Sequence, residues 1–183
     1  DDRRMTANVY FQASLIAERE GHWFAARGYA ERARALYEEV EDETTVGRLL
    51  NNLGGLNYTL GRPDEAIKYL KDAFKVLIDI GRDEEAATAV SSLAQVHLGT
   101  GELTTAEEQA RHALTLMGGR EDRLDEIGNA QLVLGRSLLE QGRLDEAEAA
   151  FDEAENTFEK FESTSHRAAV WIAKGDLTAR RGD

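Results

Sequence analysis

The chain has 183 residues, 42% of them hydrophobic and 31% charged, which suits one ordinary domain or one short repeat array with a buried core. The absence of cysteine excludes disulfides and thiolate metal sites, and a single proline disfavours a loop-rich or β-sandwich fold. A formal net charge of -13 repels phosphate backbones and argues against direct nucleic-acid binding by this segment.

Ala, Leu, Glu and Arg are abundant, which favours helices, and apolar residues recur at the helical interval of three and four. In chain order the pattern predicts helices over about 3–20 and 23–40, broken at Gly21, and over about 43–60 and 63–79, broken at Gly61. Pro63 sits at the start of its helix, where a missing N–H costs nothing. Next come helices over about 83–100 and 103–117, broken at Gly101, with Thr104 and Glu107 spaced as a capping box. Helices over about 121–141 and 144–161 flank Gly142, and a last one over about 164–181 ends at Gly182. The linkers Gly81-Arg82-Asp83 and Gly118-Gly119-Arg120 are short and polar. No low-complexity stretch divides the chain, so it reads as one domain, 1–183. Its repeats fall at about 3–42, 43–82, 83–120 and 121–163, with a half repeat at 164–183. The first residue is Asp1 rather than Met, which points to a piece of a longer chain. No apolar run approaches the roughly 20 residues of a membrane span.

The glycines act as a ruler. Gly21, Gly61, Gly101, Gly142 and Gly182 mark a period of about 40 residues. Alanine follows five positions on at Ala26, Ala66, Ala106 and Ala147, and twelve positions on at Ala33, Ala73, Ala113 and Ala154. Seven residues before the glycine stand the small residues Ser14, Gly54, Ala94, Gly135 and Gly175. Alanines seven apart share one helix face, and small residues on both helices of a pair let the backbones approach. Bulkier residues fill the space left eight before the glycine (Leu53, Leu93, Leu134) and nine after it (Leu70, Phe151).

The segment Asn51-Asn52-Leu53-Gly54 through Gly61, Ala66 and Ala73 resembles the tetratricopeptide repeat, and the resemblance covers essentially the whole chain. Trp171 and Gly175 match the same pattern in the last copy, where Lys174 replaces the leucine. The family's mid-helix aromatic is replaced by Ala17, Asn57, His97, Leu138 and Thr178. The long helices resemble the forty-residue variety found in kinesin light chains and in the arrays of bacterial helix-turn-helix transcriptional regulators. The resemblance implies an all-α fold, an α-solenoid with a right-handed superhelical twist, of about four and a half helix-turn-helix pairs.

It also implies a peptide- or partner-binding wall on the concave side, built by the first helix of each pair. The family's groove positions carry Asn8, Phe11, Arg48, Asn51, Tyr58, Ser91, Gln95, Asn129, Leu132 and Arg136 here. The amides suit an extended peptide backbone, the arginines suit a carboxylate, and the aromatics suit a ligand side chain.

No metal-ligand spacing joins His22, His97, His112 and His166, and His97 at the aromatic position is expected to be packed. The acidic run Glu38-Glu39 with Glu41-Asp42-Glu43 reads as a solvated surface. No phosphate loop, nucleophile elbow or EF-hand spacing is present. The expectation is a cytoplasmic binding module and not an enzyme, with no cofactor and no metal. Its partner would be a peptide or protein segment, with neither a membrane nor nucleic acid as a direct partner, and a homodimer remains open. The leading reading is the sensing part of a bacterial transcriptional regulator. The alternative is a constitutive scaffold or dimerisation module. An uncapped apolar face near Val170, Trp171 and Leu177 would invite self-association.

Overall fold

The computed structural model describes residues 2–160 and 163–182. Among the described residues there are nine α-helices and no strand: α1 (Asp2–Arg19), α2 (Trp23–Glu39), α3 (Glu43–Thr59), α4 (Pro63–Asp79), α5 (Asp83–Thr100), α6 (Leu103–Met117), α7 (Leu124–Glu140), α8 (Leu144–Lys160) and α9 (Thr164–Arg181). The fold class is the all-α repeat of helix pairs. The predicted start of α7 at 121 is replaced by a separate 3-10 turn, Glu121–Arg123, and the predicted end of α8 at 161 lies outside the described residues.

The turns explain the period. Each ruler glycine has positive φ, from +73° at Gly61 to +84° at Gly182, the left-handed region that an L side chain disfavours. At Gly61 the glycine N–H donates to the Tyr58 carbonyl and the Arg62 N–H to Asn57, closing α3. The Arg62 carbonyl then accepts from Ala66 N–H and opens α4. The same residue thus ends one helix and starts the next, which leaves two residues to make the corner. Gly21, Gly101 and Gly142 repeat the pattern with His22, Glu102 and Arg143. Pro63 is the first residue of α4, as its missing N–H allows. Glu41, between α2 and α3, also holds positive φ, at +55°. It stands where Gly81 stands one repeat later.

The capping box expected at Thr104 and Glu107 does not form. Glu102 is the residue before α6 and makes no side-chain cap, because the shared-residue corner places the helix start two positions earlier than a Thr104 cap requires. Glu107 is used elsewhere. Its carboxylate accepts from Arg143 Nη1 at 2.6 Å and Gln141 Nε2 at 3.0 Å, and pairs with Arg111 at 3.0 Å. These bonds tie α6 to the corner between α7 and α8.

The chain divides into two compact units, Asp1–Ser92 and Leu93–Asp183, the division falling within α5. In the first unit α1 packs on α2, α2 on α3 and α3 on α4. Its core holds Ala7, Ala26, Ala30, Ala33, Leu49, Leu53 and Leu56. In the second unit α6 packs on α7, α7 on α8 and α8 on α9. There Leu138, Phe151, Phe158, Val170 and Ala173 dominate the core. The alanines five past each ruler glycine, Ala26, Ala66, Ala106 and Ala147, are all fully buried.

Within each unit one pair shows how closely the helices meet. A Cβ built on Gly54 of α3 would lie 2.5 Å from Leu70 of α4, and one on Gly47 would lie 2.5 Å from Leu77. In the second unit Gly135 faces Phe151 at 2.4 Å and Gly128 faces Phe158 at 2.5 Å. The side chain nine past the ruler glycine therefore sits directly on the bare Cα seven before it. A second contact repeats this one turn-pair away, at fourteen before and sixteen after.

Three outcomes follow for stability. Gly54→Ala is expected to lower the urea midpoint by an amount equal to about 1–3 kcal/mol of overpacking, less the gain in helix propensity. Gly28→Ala, in α2 with nothing within 4 Å of its missing Cβ, should instead stabilise by about 0.5–1 kcal/mol. The third concerns pH. Burial raises the Glu107 carboxyl, but hydrogen bonds from Gln141 and Arg111 and the charges of Arg143 and Arg111 outweigh it and hold it below its ordinary 4.5. A carboxyl that titrates lower folded than unfolded adds stability that is complete above the unfolded value and disappears as the pH falls through the folded one. Glu107→Gln should therefore cost on the order of 1 kcal/mol at pH 7. The gap from wild type should close as denaturation is repeated below pH 4.5.

Candidate functional site

On α3, the expected binding residues Arg48, Asn51 and Tyr58 recur at three and seven residues, so they share one stripe with Gly55 between them. Arg48 and Tyr58 are exposed and Asn51 is half-buried. Gly55 has nothing within 4 Å of where a Cβ would stand, which leaves an open shelf between the amide and the phenol. On α1, Asn8 is exposed and Phe11 half-buried, again three residues apart. The opposite side of α3, Leu49, Leu53 and Leu56, is buried in the core of the first unit, so the stripe is the helix's outer face.

Asn51 carries an unmet hydrogen bond. Its Oδ1 is buried without a partner, and so is Nδ2 of the adjacent Asn52. By contrast Asn57, at the family's aromatic position, is 1% exposed and donates from Nδ2 to the Leu53 carbonyl at 2.7 Å. A buried polar atom left unpaired costs about 1–3 kcal/mol, so Asn51 and Asn52 hold an acceptor and a donor whose hydrogen bonds are unmet among the described residues.

Arg48 is already engaged. Its Nη2 donates to Glu85 Oε1 of α5 at 2.9 Å. Burial raises the Glu85 carboxyl, but the Arg48 hydrogen bond and the charges of Arg48 and Arg82 hold it below its ordinary value. Arg48 thus offers a ligand carboxylate only its remaining N–H groups, or none until Glu85 is displaced. Sequence reasoning missed Glu85 because the groove positions of α5 begin three residues later. It missed Asn52 because that position faces away from the expected stripe. On α1, burial pushes the Glu18 carboxyl up.

Two expected wall residues lie inside. Ser91 and Leu132 are each 7% exposed, and Leu132 joins the core of the second unit, so neither presents a surface to a ligand. Asn129 spends its Nδ2 on its own helix, donating to the Asp125 carbonyl at 2.9 Å. Gln95 and Arg136 are exposed. His97 is buried at the aromatic position, with Nδ1 at 3.3 Å from Glu102.

The acidic run is partly neutralised. Arg3 pairs with Glu39 at 2.9 Å and Arg4 with Asp42 at 3.5 Å, while Asp42 Oδ1 accepts from Thr45 N–H and caps α3. Among the described residues no group of three or more His, Cys, Asp or Glu side chains is placed to hold a metal ion. No helix of the described chain is long and apolar enough to cross a membrane.

Solved structures of other proteins share this fold. BtubC (BKLC) from P. vanneervenii superposes with a TM-score of 0.74 at 19% identity over 86% of this chain and 65% of its own. A Rap protein complexed with Competence and Sporulation Factor gives 0.82 at 17% over 97% and 49%. A putative kinesin light chain from Podosopora anserina with nearly identical TPR-like repeats gives 0.73 at 15% over 96% and 86%. The chain spans about half to two thirds of the length of the first two. No curated protein matches it. At these identities the likeness is one of fold alone. The tetratricopeptide repeat model, however, matches residues 5–79, 45–118 and 84–160. These overlapping matches follow the helix pairs just described, and the chain belongs to the tetratricopeptide repeat family.

Proposed function

We propose that the chain binds an extended peptide or protein segment on the outer stripe of α3 and α1, and that it works by binding without a catalytic step. The observation that carries this is the half-buried Asn51, whose Oδ1 is buried without a hydrogen-bond partner among the described residues, between the exposed Arg48 and Tyr58. A peptide N–H reaching that oxygen, once the Asn51 side chain turns outward, recovers a hydrogen bond the free protein lacks. Tyr58, 39% exposed, packs on a ligand side chain across the Gly55 shelf. A carboxylate on the ligand exchanges with Glu85 for Arg48, so acidic segments pay for displacing an existing ion pair and neutral backbones do not.

The wider reading is a sensing array of a bacterial transcriptional regulator acting in the cytoplasm. Its support is the family, and the fold shared with a Rap protein solved in complex with Competence and Sporulation Factor. Ligand binding would be felt at the Arg48–Glu85 pair, which links α3 to α5 and is biased by whatever engages Arg48.

Peptides selected from a random display library against the 183-residue chain test the site. Asn51→Ala is expected to weaken the selected peptides by about tenfold, the equivalent of one hydrogen bond of about 1.4 kcal/mol. Arg111→Ala, on the exposed side of α6, should leave them unchanged. Selected peptides that bind wild type and Asn51→Ala equally would remove α3 from the site.

A further inference from the structure

Two of the three residues expected to make an open apolar face, Val170 and Leu177, lie in the core of the second unit. The third, Trp171, donates from Nε1 to Glu155 Oε1 of α8 at 2.6 Å. That expected face is corrected, and the group that stands open is a charge in the first unit.

Glu18 of α1 is half-buried, and among the described residues no ion pair or side-chain hydrogen bond holds its carboxylate. Comparable carboxylates are held. Arg48 reaches Glu85 at 2.9 Å, Arg143 reaches Glu107 at 2.6 Å, and Lys174 and Trp171 reach Glu155. Their partners keep those three carboxyls below the ordinary value, whereas burial pushes the Glu18 carboxyl up with no neighbouring charge to oppose it. Desolvation without a counter-charge disfavours the ionised form, and a cation brought to the carboxylate reverses that.

Glu18 belongs to the stripe already described. Phe11, Leu15 and Glu18 are four and three residues apart, so they share one side of α1, and all three are half-buried. Ala7, Ser14 and Ala17, on another side of the helix, are buried. Leu15 and Glu18 stand six and three before Gly21, as Gly55 and Tyr58 stand before Gly61. Tyr58 therefore holds the place of Glu18 in α3, a helix that packs on α2 and is tied to α5 through Arg48 and Glu85. It is still 39% exposed, so this place is open even where neighbours flank the helix.

The charge around the stripe points the same way. A formal net charge of -13 draws cations toward the chain and repels anions. Arg48, the arginine of the stripe, is engaged by Glu85 and holds no open welcome for an acid. Leu15 and Phe11 give an apolar surface on which the methylene stem of a long basic side chain can lie.

We propose that the site on α1 and α3 selects a peptide segment carrying a lysine or arginine, whose cation pairs with Glu18 while its stem lies along Leu15 and Phe11. The inference rests on the peptide-binding reading above and adds to it the charge of the ligand.

The test uses short acetylated peptides randomised in neutral residues around one central lysine. The best binder to the 183-residue chain is remade with norleucine in place of that lysine, and both are titrated at low salt by fluorescence anisotropy. The norleucine peptide is expected to bind wild type about fivefold more weakly. Glu18→Gln should weaken the lysine peptide by a similar factor and leave the norleucine peptide unchanged. Because Glu18→Gln removes an unpaired, half-buried charge, it should unfold in urea no earlier than wild type, which separates a lost ion pair from a damaged fold. Equal binding of the two peptides to wild type would overturn the proposal, as would an equal loss of both in Glu18→Gln. Asn51→Ala keeps the two readings apart. A peptide weakened by Asn51→Ala but indifferent to its lysine removes this inference and leaves the peptide site standing, whereas no binding by any peptide removes both.

Discussion

A glycine inside a helix forfeits about 1 kcal/mol relative to alanine, and this chain places four of them where a buried leucine or phenylalanine presses onto the bare Cα. The four contacts are Gly47 with Leu77, Gly54 with Leu70, Gly128 with Phe158 and Gly135 with Phe151. Full burial of such a side chain is worth about 1.5–3 kcal/mol, so the close approach more than offsets the propensity lost. It also selects the partner: a methyl group on the first helix would collide, and a smaller side chain on the second would leave a void. The register of each pair is therefore set by a notch and the side chain that fills it, and hydrophobicity in general plays a smaller part.

The corner residues keep that register from one pair member to the next. The residue after each ruler glycine closes one helix through its N–H and opens the next through its carbonyl, as Arg62 does between Asn57 and Ala66. With only two residues in the corner, the distances seven before and nine after the glycine are locked to each other. Side-chain ties such as Glu107 with Arg143 and Gln141 then join a helix to the corner beyond it.

Much of this was legible in the sequence because its causes are local. Positive φ demands glycine at Gly21, Gly61, Gly101, Gly142 and Gly182, and those residues announce themselves at their spacing. The notch at Gly54 and Gly135 was visible as a small residue at a fixed offset, but its partner at fourteen before, Gly47 and Gly128, was not sought. What failed depended on atoms distant in sequence. Thr104 and Glu107 have the spacing of a capping box, yet Glu107 is claimed by Arg143, thirty-six residues on. Ser91 and Leu132 occupy family groove positions, and the structure buries both. Arg48 reads as a free cation until α5 brings Glu85 to it. The candidate stripe on α3 was readable as residue types, whereas the unpaired Asn51 Oδ1 appears only once the neighbours are in place.

The notch contact makes a quantitative demand on pairs of residues. A double-mutant cycle between Gly135→Ala and Phe151→Ala, followed by urea denaturation of the four proteins, measures it directly. If Phe151 occupies the space above Gly135, the alanine that destabilises the wild type should stabilise the Phe151→Ala protein, giving a coupling on the order of 1–3 kcal/mol. Additive effects at the two positions would mean that the ring does not rest on the glycine, and the account of how these helix pairs are matched would be wrong.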